Sequence, residues 1–430
     1  MNLLMLTNVY TPYVGGIARS VQAFRAAYLA RGHHVLIVAP YFERQPEEEE
    51  GVVRFPAVVK AYRNRYSLPL PIPGYLHGVL RDFKPDVIHS HHPFLLGTTA
   101  QRISAIWQVP LVYTHHTRYC SYLQSEPDTA TPVANLAADL VWTLTIAYCE
   151  LCDLLIAPSE SIRTMLLDAE ISRPIEVVPT GVDFDRFRDG DRAKARAAHH
   201  VPPDAFLVGH AGRLEPEKNL LVLAEEAAEV LARHTRAHFL LVGEGTLRDE
   251  IVARFKSAGV AERLHVAGVL QGHELVDSYH AMDVFAFASK TETQGMVLSE
   301  AMAAGVPVVA LEGSGVNDLM VDFRNGRLMD ADRPGGLIEG LEWVLRLSPR
   351  RRDALQEAAR ETARSVSMSI CADRMLRLYE ELIKKTTASE RGLLSRSLRF
   401  LDFERKAWSR LFEAAGRTFT HGVQDATDRK

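Results

Sequence analysis

The chain has 430 residues, 47% apolar and 24% charged, with a formal net charge of −4. That is ordinary globular composition, which excludes extensive disorder, and the near-neutral balance gives no global case for nucleic acid binding. The length exceeds one comfortable core and predicts two domains. The first residues run straight into Leu3, Leu4, Met5 and Leu6, without a basic leader or a small-residue cleavage site, and predict a first buried strand. Short β-rich runs then alternate with helical patterns: Val35 to Val38, Val87 to His89, Leu111 to Thr114, Leu154 to Ala157 and Ile175 to Val178. The pattern restarts at Phe206 to Gly209 and continues through Phe239 to Val242, Leu264 to Val266, Val284 to Phe287 and Val306 to Ala310. Such alternation predicts parallel sheets covered by helices on both faces, hence two doubly wound α/β domains with a cleft between them. The boundary is expected between Thr180 and Ala205, where Asp183 to Arg196 is highly charged and Pro202 and Pro203 interrupt any helix. No apolar run reaches membrane-spanning length. Cys120, Cys149, Cys152 and Cys371 are few, which fits a reducing cytoplasm, and the Cys149/Cys152 pair lacks the second pair of a zinc site.

Ligands of doubly wound sheets bind beyond the carboxyl ends of the strands, so chemistry is sought in the loops there. After the first strand, Thr11 to Ser20 (TPYVGGIARS) places Gly15 and Gly16 before a helical pattern. This is not GxGxxG, and only a truncated GEG occurs elsewhere, at Gly243 to Gly245, so nicotinamide binding is poorly supported. The paired glycines allow a ligand to approach the backbone, although a plain tight turn reads the same. In the second half, Gly212 to Asn219 (GRLEPEKN) delivers Arg213 and Lys218 to a strand end, where they suit a diphosphate or stand in a solvated loop. Thr291 to Gly305 (TETQGMVLSEAMAAG) carries Glu292 and, eight positions on, Glu300. Val297, Leu298, Ala301 and Met302 have helical spacing, so Gly295 and Met296 fall where unpaired N–H groups attract phosphate. Carboxylates beside such a terminus suit hydroxyls, and phosphate flanked by hydroxyls describes a nucleotide sugar.

His89, His91, His92, His115 and His116 cluster at predicted strand ends. No carboxylate or Cys accompanies them at ligand spacing, so a hydrogen-bonding role in the cleft is preferred to a metal site. The strings Asp183-Phe-Asp185, Asp189-Gly-Asp191 and Asp330-Ala-Asp332 match a metal-holding DxD formally but fall in linker or loop regions. The segment Tyr66 to Pro73 (YSLPLPIP) reads as an apolar Pro-rich loop on the acceptor side or as a packed connection. From Lys384 to Lys430 there are 11 basic and 6 acidic side chains. Leu394, Leu398, Leu401, Trp408 and Phe412 share one helical face opposite Arg396, Arg399, Lys406 and Arg410, the pattern of an interfacial membrane helix. A helix packed on its own domain or on a second subunit has the same pattern.

Taken together in this order, the GG loop, Thr114 to Thr117 (THHT), Pro179 to Asp183 (PTGVD), GRLEPEKN and the Glu-x7-Glu element resemble a retaining GT-B glycosyltransferase of family 4 over about residues 1 to 385. Thr180 departs from the Asn commoner in that family. The resemblance implies two Rossmann-like domains, 1–190 on the acceptor side and 200–362 for the nucleotide sugar. A helix at 363–385 would pack back on the first domain, and 386–430 would form the amphipathic tail. It further implies that Arg213 and Lys218 hold the donor diphosphate, Glu300 the ribose and Glu292 the transferred sugar. Gln294, Gly295, Met296 and Val297 would contact sugar or phosphate, Gly15 and Gly16 would close from the other domain, His116 would reach the sugar and Leu270 would line the base pocket. Glu292, His116, Arg213 and Lys218 are the implied catalytic residues; no catalytic metal and no cofactor is implied.

The segments HTRYCSYL and SKTETQGMVLSEAMAAG are most similar to the branch that glucosylates diacylglycerol, which implies a UDP-sugar donor and a lipid acceptor. The enzyme is then expected to be cytoplasmic and peripheral on the inner face of the cytoplasmic membrane. Membrane contact is expected through Arg396, Arg399, Lys406, Trp408, Arg410 and Phe412 of the tail. A transferase for a polysaccharide or other soluble acceptor, and a nucleotide-sugar 2-epimerase, are the alternatives. A non-catalytic scaffold is disfavoured because Arg213, Lys218, Glu292 and Glu300 are all present. Oligomeric state is not legible.

Overall fold

The computed structural model describes residues 1–13, 15–43, 45–61, 66–69, 74–118 and 132–387, with Arg405 and Ser409 beyond them. The tail residues Arg396, Arg399, Lys406, Trp408, Arg410 and Phe412, and Cys120, lie outside the described residues. Two compact units result: unit 1 is Met1–Thr180 with the described residues from Cys371 on, and unit 2 is Gly181–Ile370.

Unit 1 contains β1 (Asn2–Leu6), α1 (Gly16–Leu29), β2 (His34–Pro40), β3 (Val52–Phe55), β4 (Ala57–Ala61), β5 (Tyr66–Pro69), α2 (His77–Phe83) and β6 (Val87–Ser90). It continues with α3 (Leu96–Trp107), β7 (Leu111–Thr114), α4 (Pro132–Cys149), β8 (Leu154–Ala157), α5 (Glu160–Asp168) and β9 (Ile175–Val177). Seven strands form a parallel sheet in the order β3-β2-β1-β6-β7-β8-β9. Leu4 and Leu6 pack with Leu36, Val38 and Ile88 on one face. Leu3 and Met5, which alternate with them, are equally buried, as a strand covered on both faces requires. The segment read as a Pro-rich loop is in its first half the strand β5, which pairs antiparallel with β4, and residues 70–73 lie outside the described residues. Thr180, at the end of unit 1, is buried, with its hydroxyl 2.7 Å from that of Ser20 on α1. The departure from Asn therefore has a structural partner.

Unit 2 opens with α6 (Phe184–Arg188) and α7 (Arg192–Ala198), followed by β10 (Phe206–Ala211), α8 (Leu220–Arg233), β11 (Ala237–Val242), α9 (Arg248–Ser257), β12 (Leu264–Gly268) and α10 (Gly272–Ala281). Then come β13 (Val284–Phe287), α11 (Met296–Ala303), β14 (Val308–Leu311), β15 (Gly326–Met329), α12 (Gly336–Leu345) and α13 (Pro349–Ser365). Its sheet is parallel, in the order β12-β11-β10-β13-β14-β15. Leu207, Leu240, Phe285 and Phe287 face one core, and Val208, Phe239, Val284 and Ala286 the other. The charged stretch expected as linker is instead two short helices of this unit. Asp183 caps α6 by accepting from Arg186 N, and Asp191 caps α7 by accepting from Lys194 N. Arg192 and Arg196 both grip the carboxylate of Asp283 at 2.7 and 2.8 Å, which turns apparent surface charge into packing.

Helix α14 (Met368–Thr387) carries the chain back to unit 1. Tyr379 sits fully buried against Tyr28 of α1 and within 2.5 Å of His89 Nδ1, while Asp373 pairs with Arg31. Cys149, Cys152 and Cys371 are free and buried; burial raises all three thiols, Cys371 to about 12, so they are inert packing groups. Among the described residues no helix is long and apolar enough to cross a membrane.

Candidate active site

In each sheet the strand order reverses once, between β1 and β6 in unit 1 and between β10 and β13 in unit 2. The loops beyond the carboxyl ends of those strands are where ligands of such folds bind. In unit 2 they are GRLEPEKN after β10 and SKTETQG after β13, and they are stitched together. Lys218, at the end of a 3-10 turn (Pro216–Lys218), donates from Nζ to Glu292 Oε1 at 2.6 Å. Asn219 donates to the Ala288 carbonyl and Ser289 to that of Glu217. Burial pulls the Glu292 pKa up, but the charge and hydrogen bond of Lys218, a hydrogen bond with Ser289 and the charge of Arg213 outweigh it and hold the carboxyl below its ordinary value. Arg213 is half exposed and pairs with Glu217 at 2.7 Å.

Gly295 caps α11 in the left-handed region (φ 73°), no side chain caps this terminus and no acid occupies its first turn. The first i→i−3 bond is Leu298 N to Gly295 O, so the N–H groups of Met296 and Val297 precede any intrahelical acceptor. That open, positive end stands between Glu292 and Glu300 in the chain. Glu300 is buried and accepts from Tyr279 Oη at 2.7 Å. Gly315 supports the loop from beneath: a Cβ there would lie 2.8 Å from Gln294 N. The dismissed GEG segment proves to be a packing device, because a Cβ on Gly243 would lie 1.8 Å from the Gly212 carbonyl oxygen, so only glycine lets the loops after β10 and β11 meet. Leu270, just beyond β12, is half-buried against the core.

In unit 1, Asn8 after β1 is tied to the loop after β6: its N–H donates to His92 Nδ1, its amide to the Phe94 carbonyl, and its Oδ1 accepts from Leu96 N. Gly15 is the N-cap of α1 and Gly16 its first residue; a Cβ on Gly16 would meet nothing within 4 Å. The histidines hydrogen-bond within the unit. His89 lies between Tyr379 and Thr114, and His91 Nδ1 is 2.9 Å from His116 Nε2 with the rings stacked. Burial pushes His89 and His92 down to about 3 and His115 to about 4, and His91 and His116 well below the ordinary value, so all are neutral. His116 Nε2 is thus engaged by His91, and His115 turns into the core against Tyr113 and Trp142.

The Glycosyltransferase Family 4 profile matches residues 14–186 and the Glycosyl transferases group 1 profile matches 191–362. A GDP-mannose-dependent alpha-mannosyltransferase of Mycolicibacterium smegmatis is 30% identical over 394 residues, covering 89% of this chain and 98% of that protein. This chain is a family 4 glycosyltransferase. An alpha-monoglucosyldiacylglycerol synthase of Acholeplasma laidlawii is 24% identical over 394 residues, with 90% and 98% covered. Among solved structures, sucrose-phosphate synthase of Thermosynechococcus elongatus superposes with a TM-score of 0.71 at 20% identity, covering 89% and 99%. HepE of Anabaena, solved with UDP and glucose, gives 0.67 at 21% identity, covering 88% and 99%. These establish the GT-B fold for the glycosyltransferase.

In this glycosyltransferase the structure brings Arg213, Lys218 and Glu292 into one strand-end network and sets Gln294 to Val297 at the mouth of α11. Arg213 and Lys218 each hold a carboxylate in their own unit, Glu217 and Glu292 respectively. Three neighbours have no local sequence signal: Glu217, Tyr279 and His210. Burial lowers the pKa of His210 to about 4, and its Nδ1 donates to the Ala286 carbonyl beneath the same loops.

Proposed function

We propose that this glycosyltransferase moves a hexose from a nucleotide sugar to a hydroxyl of a membrane lipid such as diacylglycerol, with retention at the anomeric carbon and without a metal ion. The observation that carries the donor half of this reading is the open N-terminus of α11 between two carboxylates, with Lys218 bonded to Glu292. The α11 amides and Lys218 receive the diphosphate, Arg213 exchanging Glu217 for phosphate as negative charge develops on the leaving group. Glu300, oriented by Tyr279, accepts from the ribose hydroxyls, and Glu292 accepts from a hydroxyl of the transferred sugar. His116, neutral and with Nε2 engaged, offers Nδ1 to the sugar. The acceptor oxygen bonds to the anomeric carbon as the carbon–phosphate oxygen bond breaks, and its proton passes to the leaving phosphate. Glu292 and Glu300 then clamp hydroxyls and do not transfer protons.

Similarity to a monoglucosyldiacylglycerol synthase supports a lipid acceptor, and the basic tail supports action at the inner face of the membrane. UDP-glucose follows from that branch; GDP-mannose is the second reading, favoured by the higher identity to a GDP-mannose-dependent relative. A thermal-unfolding panel of nucleotide sugars decides between them, because a bound donor stabilises the native state by mass action. Transfer to diacylglycerol vesicles with and without EDTA, with the product's anomeric configuration read by NMR, tests acceptor, metal and stereochemistry. No stabilisation by any nucleotide sugar, or the same stabilisation in Glu300→Ala, removes the donor-site assignment.

A further inference from the structure

At the opposite end of the unit 2 sheet, where β10 and β11 begin, lies a cavity of about 510 Å³. Arg192, Arg233, Arg236 and Arg352 line it, and among the described residues the lining carboxylates are Asp204 and Asp283. Asp283 is already held by Arg192 and by the buried Arg196, and Asp204 is exposed beside Arg236. Arg352 has no carboxylate partner among the described residues: its buried Nε lacks a hydrogen-bond partner, and its guanidinium stands 5.9 Å from the Phe206 ring centroid. Arg352 sits in the first turn of α13, which follows Ser348 with no side-chain cap and no acid in that turn. A buried, unsatisfied guanidinium N–H near the positive end of α13 thus lines a recess shared with three further arginines, an arrangement that an anion would stabilise.

We propose that this cavity binds a phosphorylated small molecule, with Arg352 and Arg236 gripping the phosphate dianion, while Arg233, paired with Glu229 and Glu342, flanks it. The volume lies within the usual range for small-molecule sites and admits a sugar phosphate or mononucleotide. The site is separate from the donor loops: β10 has six residues, so its two ends lie roughly 20 Å apart. Asp283, gripped from the cavity side, immediately precedes β13, and β13 leads at its far end to Ser289 and Glu292. The cavity therefore touches a strand that carries the active-site loop.

Equilibrium dialysis of the full chain against labelled inorganic phosphate, with glucose 6-phosphate as competitor, tests the proposal. Arg352→Gln and Arg236→Gln are each expected to weaken phosphate binding about tenfold, the scale of one lost charge-assisted contact, while Lys218→Ala leaves this binding class within about twofold. Arg236 is exposed, so its variant folds even if the Arg352 variant does not. Binding lost in Lys218→Ala but kept in both arginine variants overturns the proposal, as does the absence of millimolar binding in the parent chain. It is equally overturned if free phosphate fails to bind while flotation with phosphatidylglycerol vesicles depends on Arg352, since the cation would then serve a lipid surface.

Discussion

At Glu292 two effects oppose each other: burial favours the neutral acid, while Lys218 at 2.6 Å favours the anion and prevails. Lys218→Ala removes the second effect and leaves burial opposed by Ser289 and Arg213 alone, so the Glu292 pKa should rise. With Glu292 in its proposed role as an acceptor, activity should then fall about a hundredfold at neutral pH, with the acidic limb of the kcat/KM profile displaced upward. An acidic limb that stays in place would show that Glu292 is not the group titrating. Tyr279 donates one buried hydrogen bond to Glu300. Tyr279→Phe should raise KM for the nucleotide sugar about tenfold with kcat nearly unchanged, the expected loss of one hydrogen bond to a charged group. Steady-state kinetics on both parameters checks this, and a fall confined to kcat would count against a donor-orienting role.

Among the loop elements, glycines divide into those the fold needs and those it does not. Gly243→Ala drives a Cβ into the Gly212 carbonyl and should destabilise unit 2 by about 3 kcal/mol. Gly16→Ala meets open space at the first residue of α1, so the melting temperature should hold while activity drops if a ligand occupies that space. Calorimetry and an activity assay on the pair separate the two cases. Most strands were legible because each is buried on both faces and reads as a continuous apolar run, as Leu111 to Thr114 and Val284 to Phe287 do. β15, Gly-Arg-Leu-Met, was not, since an arginine sits in a four-residue strand. Nor was α7, whose Arg192 and Arg196 look solvated until Asp283, 91 residues from Arg192 in sequence, is seen to receive them. In the site, GRLEPEKN and TETQG announced themselves by glycine and charge spacing. The Lys218–Glu292 and Tyr279–Glu300 bonds did not, because a partner 74 or 21 residues away depends on which strands lie side by side.

For the whole molecule, protons are unequally tolerated. Unit 1 buries His89, His91, His92 and His115 neutral, with pKa values near 3 for His89 and His92 and near 4 for His115. The unfolded chain binds those protons below about pH 6.5, whereas the folded unit refuses them until roughly pH 3 to 4, so stability should fall as pH falls across that window. At pH 5 each such histidine should cost about 2 kcal/mol. Hydrogen exchange at pH 7.5 and 5.5 should show unit 1 losing protection before unit 2, and equal loss in both would argue against the histidine array as the cause.

The return of α14 to unit 1 has a consequence for synthesis. Unit 2 is one unbroken stretch of chain, Gly181–Ile370, whereas unit 1 is made in two instalments. Tyr379, which fills space beside Tyr28 and bonds His89, leaves the ribosome only after all of unit 2 has been translated. The usual amino-to-carboxyl order of maturation is then inverted: the second unit can finish folding while the first, though translated earlier, still waits for its closing helix.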